Sequence, residues 1–425
     1  MGIGSRKRSG GRATREEQMA FPAADDAQRE AVITRLFDGV LRSARSQLLR
    51  AESPLAAEVW GSGLLAVWDG LPGAAGDDAP GGAFNEALVR RSQDLGTPEA
   101  MAVLAALAAV GPTRVATRAR AAAAALEQAG ITGPVWAGVA GTAVPTEAWI
   151  GRDVYGDQEI VIIGFTYPGL ADDPGHSMCV LVDHTEGGVA KDAYPAAPLD
   201  QTLARWREAE ADGIDLRPAS LPEVAARLAD ALMATDFAGD PGAAGDGRSL
   251  VEMRALLAAR LAALPPAAAV GVEELDAEGR DWLVAEFLGA PEAADLLSEP
   301  AAVTVCHSLI AYRCDYGDGD PLRWSPTLAG LCLLDHFPVR VCLDAPDVAL
   351  VPDVLAAWVA FSARRRHLPA AALARILDVI DSCREDFPVA MGDVVRYSPV
   401  KRAAMNLLAQ GIDLTDDDAW AAVGR

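Results

Sequence analysis

No phosphate-binding loop, dinucleotide fingerprint, zinc-ligand spacing or nucleophile elbow occurs in this chain, so no motif assigns a reaction class. Cysteine is scarce. The six thiols, Cys179, Cys306, Cys314, Cys332, Cys342 and Cys383, form no C-x-x-C pair, which argues against a disulfide framework or a redox motif and for small buried hydrophobes. Long apolar runs are missing too: the longest, about Ala100 to Val110, falls well short of the roughly 20 residues of a membrane helix. No apolar h-region follows the basic start, so a secretory signal is not expected. The reading is a cytoplasmic, soluble protein with no membrane partner.

What is present is material for packing. With 425 residues, 51% of them hydrophobic, the chain can build two or three cores at roughly 100 to 200 residues per domain. Net charge is −23, although Arg6, Lys7, Arg8, Arg12 and Arg15 crowd the start without an acid among them. An acidic body of this kind repels nucleic acid and anionic membrane. Only the basic arm offers a nucleic-acid contact, and that contact would be weak and salt-dependent.

Residues 1–20 mix Gly, Ser and Arg without apolar periodicity and are expected to be a disordered arm. Ile33, Leu36, Phe37, Val40 and Leu41 then fall at helical spacing. Trp60, Leu64, Leu65 and Trp68 suggest a second helix, and the Gly- and Asp-rich stretch from Leu71 to Gly82 suggests a loop. Thr97 with Pro98 predicts an N-cap and first turn, and Gly111 with Pro112 repeats the signal. Residues 21–135 therefore read as a helical, bundle-like domain.

Residues 136–237 break this pattern with β-type runs. Glu159 to Tyr167, Ser177 to Asp183 and Gly188 to Tyr194 are expected as strands of a small antiparallel sheet, followed by helices near Leu199 to Glu210 and after Ser220. A linker at 238–248, rich in Gly, Ala and Asp, precedes a second helical domain at 249–425. That domain includes helices from Ala301 to Arg313, Leu328 to Leu334, Pro352 to Arg366 and Pro369 to Arg384, and a short last one opened by Thr415 and capped by Asp416, Asp417 and Asp418. The predicted class is α+β, mainly helical.

The middle segment also gathers the titratable residues. His176, Asp183, His184, Lys191 and Asp192 are the candidate catalytic side chains, and Asp153, Tyr155 and Asp157 the candidate binding ones. If the hairpin turn centres near Glu186, Asp192 faces Leu181; if the preceding loop joins the first two strands, Tyr167 lies near His176 and Asp157 near His184. At about 3.3 Å per residue, His176 and His184 then stand about 26 Å apart, too far to share a site. Asp157, Asp183, His184 and Glu186, with Asp192, can act as an acid–base or divalent-metal set, and His176 with Tyr167 as a lone acid or base at the other end; the alternative is that they are polar groups closing strand ends. A second grouping, Cys306, His307, Cys314, Cys332, His336 and Cys342, reads as core cysteines more readily than as zinc ligands. Neither a cofactor nor a metal is identified.

The D-x-Y-G-D pattern at Asp153 to Asp157, H-x-x-x-V-L-V-D-H from His176 to His184, GGVAKDAY ending at Tyr194 and PDVLAAWVAF from Pro352 to Phe361 resemble an uncharacterised group of proteins from high-GC bacteria. The resemblance spans most of the chain beyond the arm. It implies that the middle segment and the C-terminal helices belong to one protein, and it carries no activity. The leading expectation is a non-enzymatic interaction or regulatory module whose helices bind a protein partner. The competing expectations are a hydrolase built on the middle-domain acids and histidines, and weak nucleic-acid association through the arm.

Overall fold

The computed structural model describes residues 26–69, 80–209, 214–238, 250–267 and 275–410. The expected arm, all but the first residue of the expected linker, and the acids Asp416, Asp417 and Asp418 lie outside the described residues. Two compact units are present, Met1–Gly141 and Thr142–Arg425. Sixteen α-helices and one five-stranded antiparallel sheet occur among the described residues, the mainly helical α+β class expected from the sequence.

The first unit packs the helices Asp26–Ser46, Pro54–Asp69, Pro80–Leu95 and Thr113–Gln128 around Pro98–Val110. That central helix is apolar nearly all round, as a helix without a solvent face must be. Thr97 caps it, its hydroxyl accepting from the Ala100 amide at 3.3 Å. The loop anticipated up to Gly82 is shorter, because Pro80 already opens the next helix. Where Pro54–Asp69 crosses the central helix, Gly61 has no room for a side chain: a Cβ there would sit 3.0 Å from Val110 Cγ2 and 3.3 Å from the Ala106 carbonyl.

In the second unit the strands are β1 (Val144–Arg152), β2 (Gln158–Thr166), β3 (His176–Asp183), β4 (Val189–Ala196) and β5 (Asp215–Ala219). Their spatial order is β4-β3-β2-β1-β5, every neighbouring pair antiparallel. Leu181 stands opposite Asp192, the register anticipated from the turn. β1 and β5 were not anticipated: β1 carries Pro145 and a register shift between Pro145 and Ala148, and β5 is a five-residue edge strand containing Pro218, both patterns that weaken a strand signal. Ile160, Ile162 and Cys179 meet Leu203 of the helix Leu199–Ala209 on one face. Phe165, of opposite parity, meets Arg260 of the helix Leu250–Ala262 on the other.

The remaining helices build their own core from side chains such as Phe287, Leu309, Phe337, Leu355, Trp358 and Ile380. The helix expected from Pro352 starts earlier and spans Ala345–Arg366. Pro346 takes the favourable first-turn position, and Pro352 is carried inside the helix. By length and composition Pro346–Arg366 is long and apolar enough to cross a membrane, and half of its apolar window is buried in this core.

Two glycines of one helix test the packing of the first unit. Gly61→Val is expected to lower the melting temperature by several degrees, since overpacking costs roughly 1–3 kcal/mol. Gly63 has no atom within 4 Å of its would-be Cβ, so Gly63→Ala is expected to leave the midpoint unchanged or to raise it by about 0.5–1 kcal/mol equivalent. Thermal melts followed by circular dichroism decide both.

Candidate functional site

The turn between β1 and β2 is shaped by Asp153. Its Oδ1 accepts from the amides of Tyr155 (2.9 Å) and Asp157 (3.0 Å), and its Oδ2 from Gln158 (3.0 Å). Gly156 supplies the left-handed residue at φ 74°. Asp153 is thus committed to backbone. Tyr155 donates its hydroxyl to the Ala372 carbonyl at 3.2 Å, and burial raises its pKa.

The turn delivers Asp157 to a residue that spacing could not point to, Arg323. This guanidinium is 4% exposed. Its Nη1 donates to Asp157 Oδ1 (2.5 Å) and the Gly156 carbonyl (3.2 Å), its Nη2 to the His184 carbonyl (3.0 Å) and its Nε to Asp318 Oδ2 (2.5 Å). Asp318 also pairs with the buried Arg313. Burial pushes the Asp157 carboxyl above its usual range, with Ser325 and Arg323 opposing. For Asp318, burial is outweighed by its two arginines and the pKa falls. The one signal in the sequence was a repeated tripeptide: Tyr155-Gly156-Asp157 and Tyr316-Gly317-Asp318 both send their aspartate to Arg323. Gly317 is required there, because a Cβ would come within 2.6 Å of the Arg313 backbone carbonyl.

His184 stands at the same end of the sheet, its amide donating to the Asp157 carbonyl at 2.8 Å. Its ring Nε2 lies 3.7 Å from Glu159 Oε2, beyond hydrogen-bond reach. Glu159, a second residue not singled out by the sequence, is 1% exposed. Arg152 approaches it at 2.5 Å and Arg227 at 3.1 Å. Burial alone would raise its carboxyl, and these cations with His184 bring it down to about 2.

Asp183 engages different partners. It accepts from the Thr185 amide (2.9 Å) and hydroxyl (2.6 Å) and from Lys191 Nζ (3.0 Å). Burial opposes these bonds, and the carboxyl still falls to about 2; the same ion pair raises Lys191. Asp192 accepts from the neighbouring Ala193 amide at 2.8 Å. Asp157, Asp183 and His184 therefore share one end of the sheet, while their side chains turn to separate partners.

His176 occupies the opposite end of β3, paired with Phe165. Its ring stacks on Tyr167 (centroids 5.3 Å) and Phe165 (5.7 Å). Arg260 donates to Nε2 at 3.1–3.3 Å and to the Tyr167 hydroxyl at 2.9 Å. With Nε2 an acceptor, the ring proton is assigned to Nδ1. Burial and the neighbouring Arg260 depress the His176 pKa to about 3, so the ring is neutral, and a poor base, at physiological pH.

The cysteine and histidine grouping does not converge. Cys306 and Cys332 are in the core, His307 faces Asp281 at 3.4 Å, and His336 packs at a tilt against the rings of Tyr312 and Tyr316. Among the described residues no group of three or more His, Cys, Asp or Glu is arranged to hold a metal. Burial pushes the Cys179 and Cys306 thiols up to about 12, which suppresses the thiolate needed for nucleophilic work. A small recess lies beside the Asp153 turn, lined by Tyr155, Trp324, Ser362 and Arg366 among others. Comparison of the chain with family models, curated proteins and solved structures finds no match.

Two outcomes follow from this geometry. Arg323→Gln leaves the buried Asp157 without its cation and Asp318 with Arg313 alone, and is expected to cost about 3–5 kcal/mol in denaturant unfolding; Arg323→Lys is expected to recover only part, because the four-bond fork needs a guanidinium. Glu159 and Asp183 have folded pKa values below their unfolded values of about 4, so their stabilisation is present above that pH and is lost as pH falls toward 2. Chemical unfolding at stepped pH is expected to show stability declining between about pH 4.5 and 2, and Glu159→Gln should flatten that decline.

Proposed function

We propose that the chain is a non-enzymatic interaction module, and that its C-terminal helices receive an apolar, basic-flanked segment of a partner protein. The observation that carries this reading is a run of outward-facing valines. Val389 is 74%, Val394 63%, Val395 82% and Val400 67% exposed. They sit on the helix Asp386–Gly392, the turn after it and the start of the helix Pro399–Ala409, both of which pack on the short helix Phe337–Arg340. A grouped apolar surface rimmed by polar side chains is the usual mark of a partner site. The exposed charged residues of this segment are Glu385, Asp386 and Asp393 against Arg402, a net-acidic setting that favours a partner carrying Lys or Arg beside its apolar side chains.

The hydrolase reading draws less support. Its acids are each tied to a cation or to backbone amides, and His176 is a neutral acceptor for Arg260. An acid–base pair needs one member with a pKa near the working pH and free access to a substrate proton. The candidate residues read instead as the framework that holds the sheet. Nucleic-acid association through the arm rests on residues outside those described.

A titration with model peptides tests the proposal. An amphipathic Leu/Lys helix is expected to bind the full chain saturably, an isosteric Leu/Glu helix is not, and the double variant Val395→Asp/Val400→Asp is expected to weaken the first by at least about tenfold. Equal binding of both peptides, or an unchanged affinity in the double variant, would overturn the reading.

A further inference from the structure

In the unit Met1–Gly141 three guanidinium groups meet one carboxylate. Glu86 lies on the helix Pro80–Leu95, and Arg90 follows it by one turn at 3.9 Å. Arg114 and Arg118, themselves one turn apart on the packed helix Thr113–Gln128, reach the same carboxylate, Arg118 Nη1 at 2.5 Å from Oε2 and Arg114 through Oε1. Glu86 is nearly covered, with a side chain 12% exposed, whereas the arginines remain open at 66%, 49% and 51%.

Three arginines on one carboxylate exceed what the described residues show elsewhere, where Glu223 takes two, Arg217 and Arg227. Arg364 pairs with Glu292, Arg365 with Glu286 and Arg366 with Asp320, one acid for each base. No other carboxylate pairs with Arg90, Arg114 or Arg118 among the described residues. The four-residue cluster therefore holds three positive charges and one negative, a surplus within a chain whose net charge is −23. Glu86 gathers the three forks into one place and leaves most of their N–H donors facing water.

We propose that Arg90, Arg114 and Arg118 form a binding site for a phosphomonoester dianion, independent of the valine surface. A tetrahedral phosphate offers three acceptor oxygens and a charge of about −1.5 to −2 at neutral pH, which matches the surplus. Guanidinium forks bind such oxygens bidentately and more strongly than neutral donors. The openness of the site suits a phosphate that is free or borne at the end of a side chain. A polynucleotide fits less well: each diester carries one charge, and the acidic chain repels its length.

The test uses the full-length chain at low ionic strength. Inorganic phosphate, a phosphoserine peptide and its unphosphorylated counterpart are titrated by calorimetry. The expected result is saturable phosphate binding with a Kd on the order of 1 mM, none by the unphosphorylated peptide, and at least about tenfold weakening in Arg114→Gln/Arg118→Gln. Arg364→Gln should bind as wild type. Tighter binding of the phosphopeptide assigns the phosphate to a polypeptide, and equal binding assigns it to free phosphate. If the double variant melts early, Arg90→Gln, which changes the most exposed of the three, is read in its place. The proposal is overturned if wild type does not approach saturation by roughly 10 mM, if the variants bind unchanged, or if an oligonucleotide without terminal phosphate binds as tightly and loses affinity in the same variant.

Discussion

The second unit depends on where one buried positive charge finds its negative partners. Arg323 is enclosed, and a guanidinium cannot shed its proton to escape the cost of leaving water. It must therefore be met by oxygen on several sides, and the two Tyr-Gly-Asp turns and the His184 carbonyl meet it. Those partners belong to the β1–β2 turn, the end of β3 and the segment after the helix Ala301–Asp315. One side chain thus ties the sheet to the helical layer that follows it in sequence. Gly156 and Gly317 serve the same contact, the first by its positive φ and the second by leaving room for Arg313.

Removing ions from water costs several kcal/mol each, so the net stability gained from such a cluster is small even though breaking it is expensive. What it supplies is selection. A purely apolar junction tolerates sliding by a few ångströms, whereas a fork with four directed bonds is satisfied in one docking only. Glu159 plays the same part within the sheet, linking Arg152 of β1 with Arg227 of the helix Leu221–Ala238. The densest titratable region of the chain is accounted for largely by this structural demand, which is why the proposed function moves to the surface of the C-terminal helices.

Much of this was legible locally. The Ile- and Val-rich run of β2, the Gly187-Gly188 turn and strand rise together placed His176 and His184 at opposite ends of β3 and Leu181 opposite Asp192. Thr97 and Ser220 were readable as caps because the cap and the amide it serves are three residues apart. β1 and β5 were hidden by their prolines. The start of the helix at Ala345 was misplaced because Pro352 carries the same first-turn signal as Pro346. Arg323 was missed for a different reason: Asp157 lies 166 residues away, no local spacing reports a pairing of that range, and the repeated Tyr-Gly-Asp tripeptide marks the two aspartates but not the arginine they share. The convergence of Arg90, Arg114 and Arg118 on Glu86 was hidden likewise, since only Arg90 is a helical neighbour of Glu86.

A double-mutant cycle on Arg323 and Asp157 tests most directly whether the sheet is held to the helices through this pair. Denaturant unfolding of Arg323→Met, Asp157→Leu and the double variant gives the coupling free energy. A coupling of about 2–3 kcal/mol is expected, with the double variant recovering stability that either single change loses. Additive losses within about 0.5 kcal/mol would mean that the two residues act independently, and would contradict the organising role assigned to Arg323.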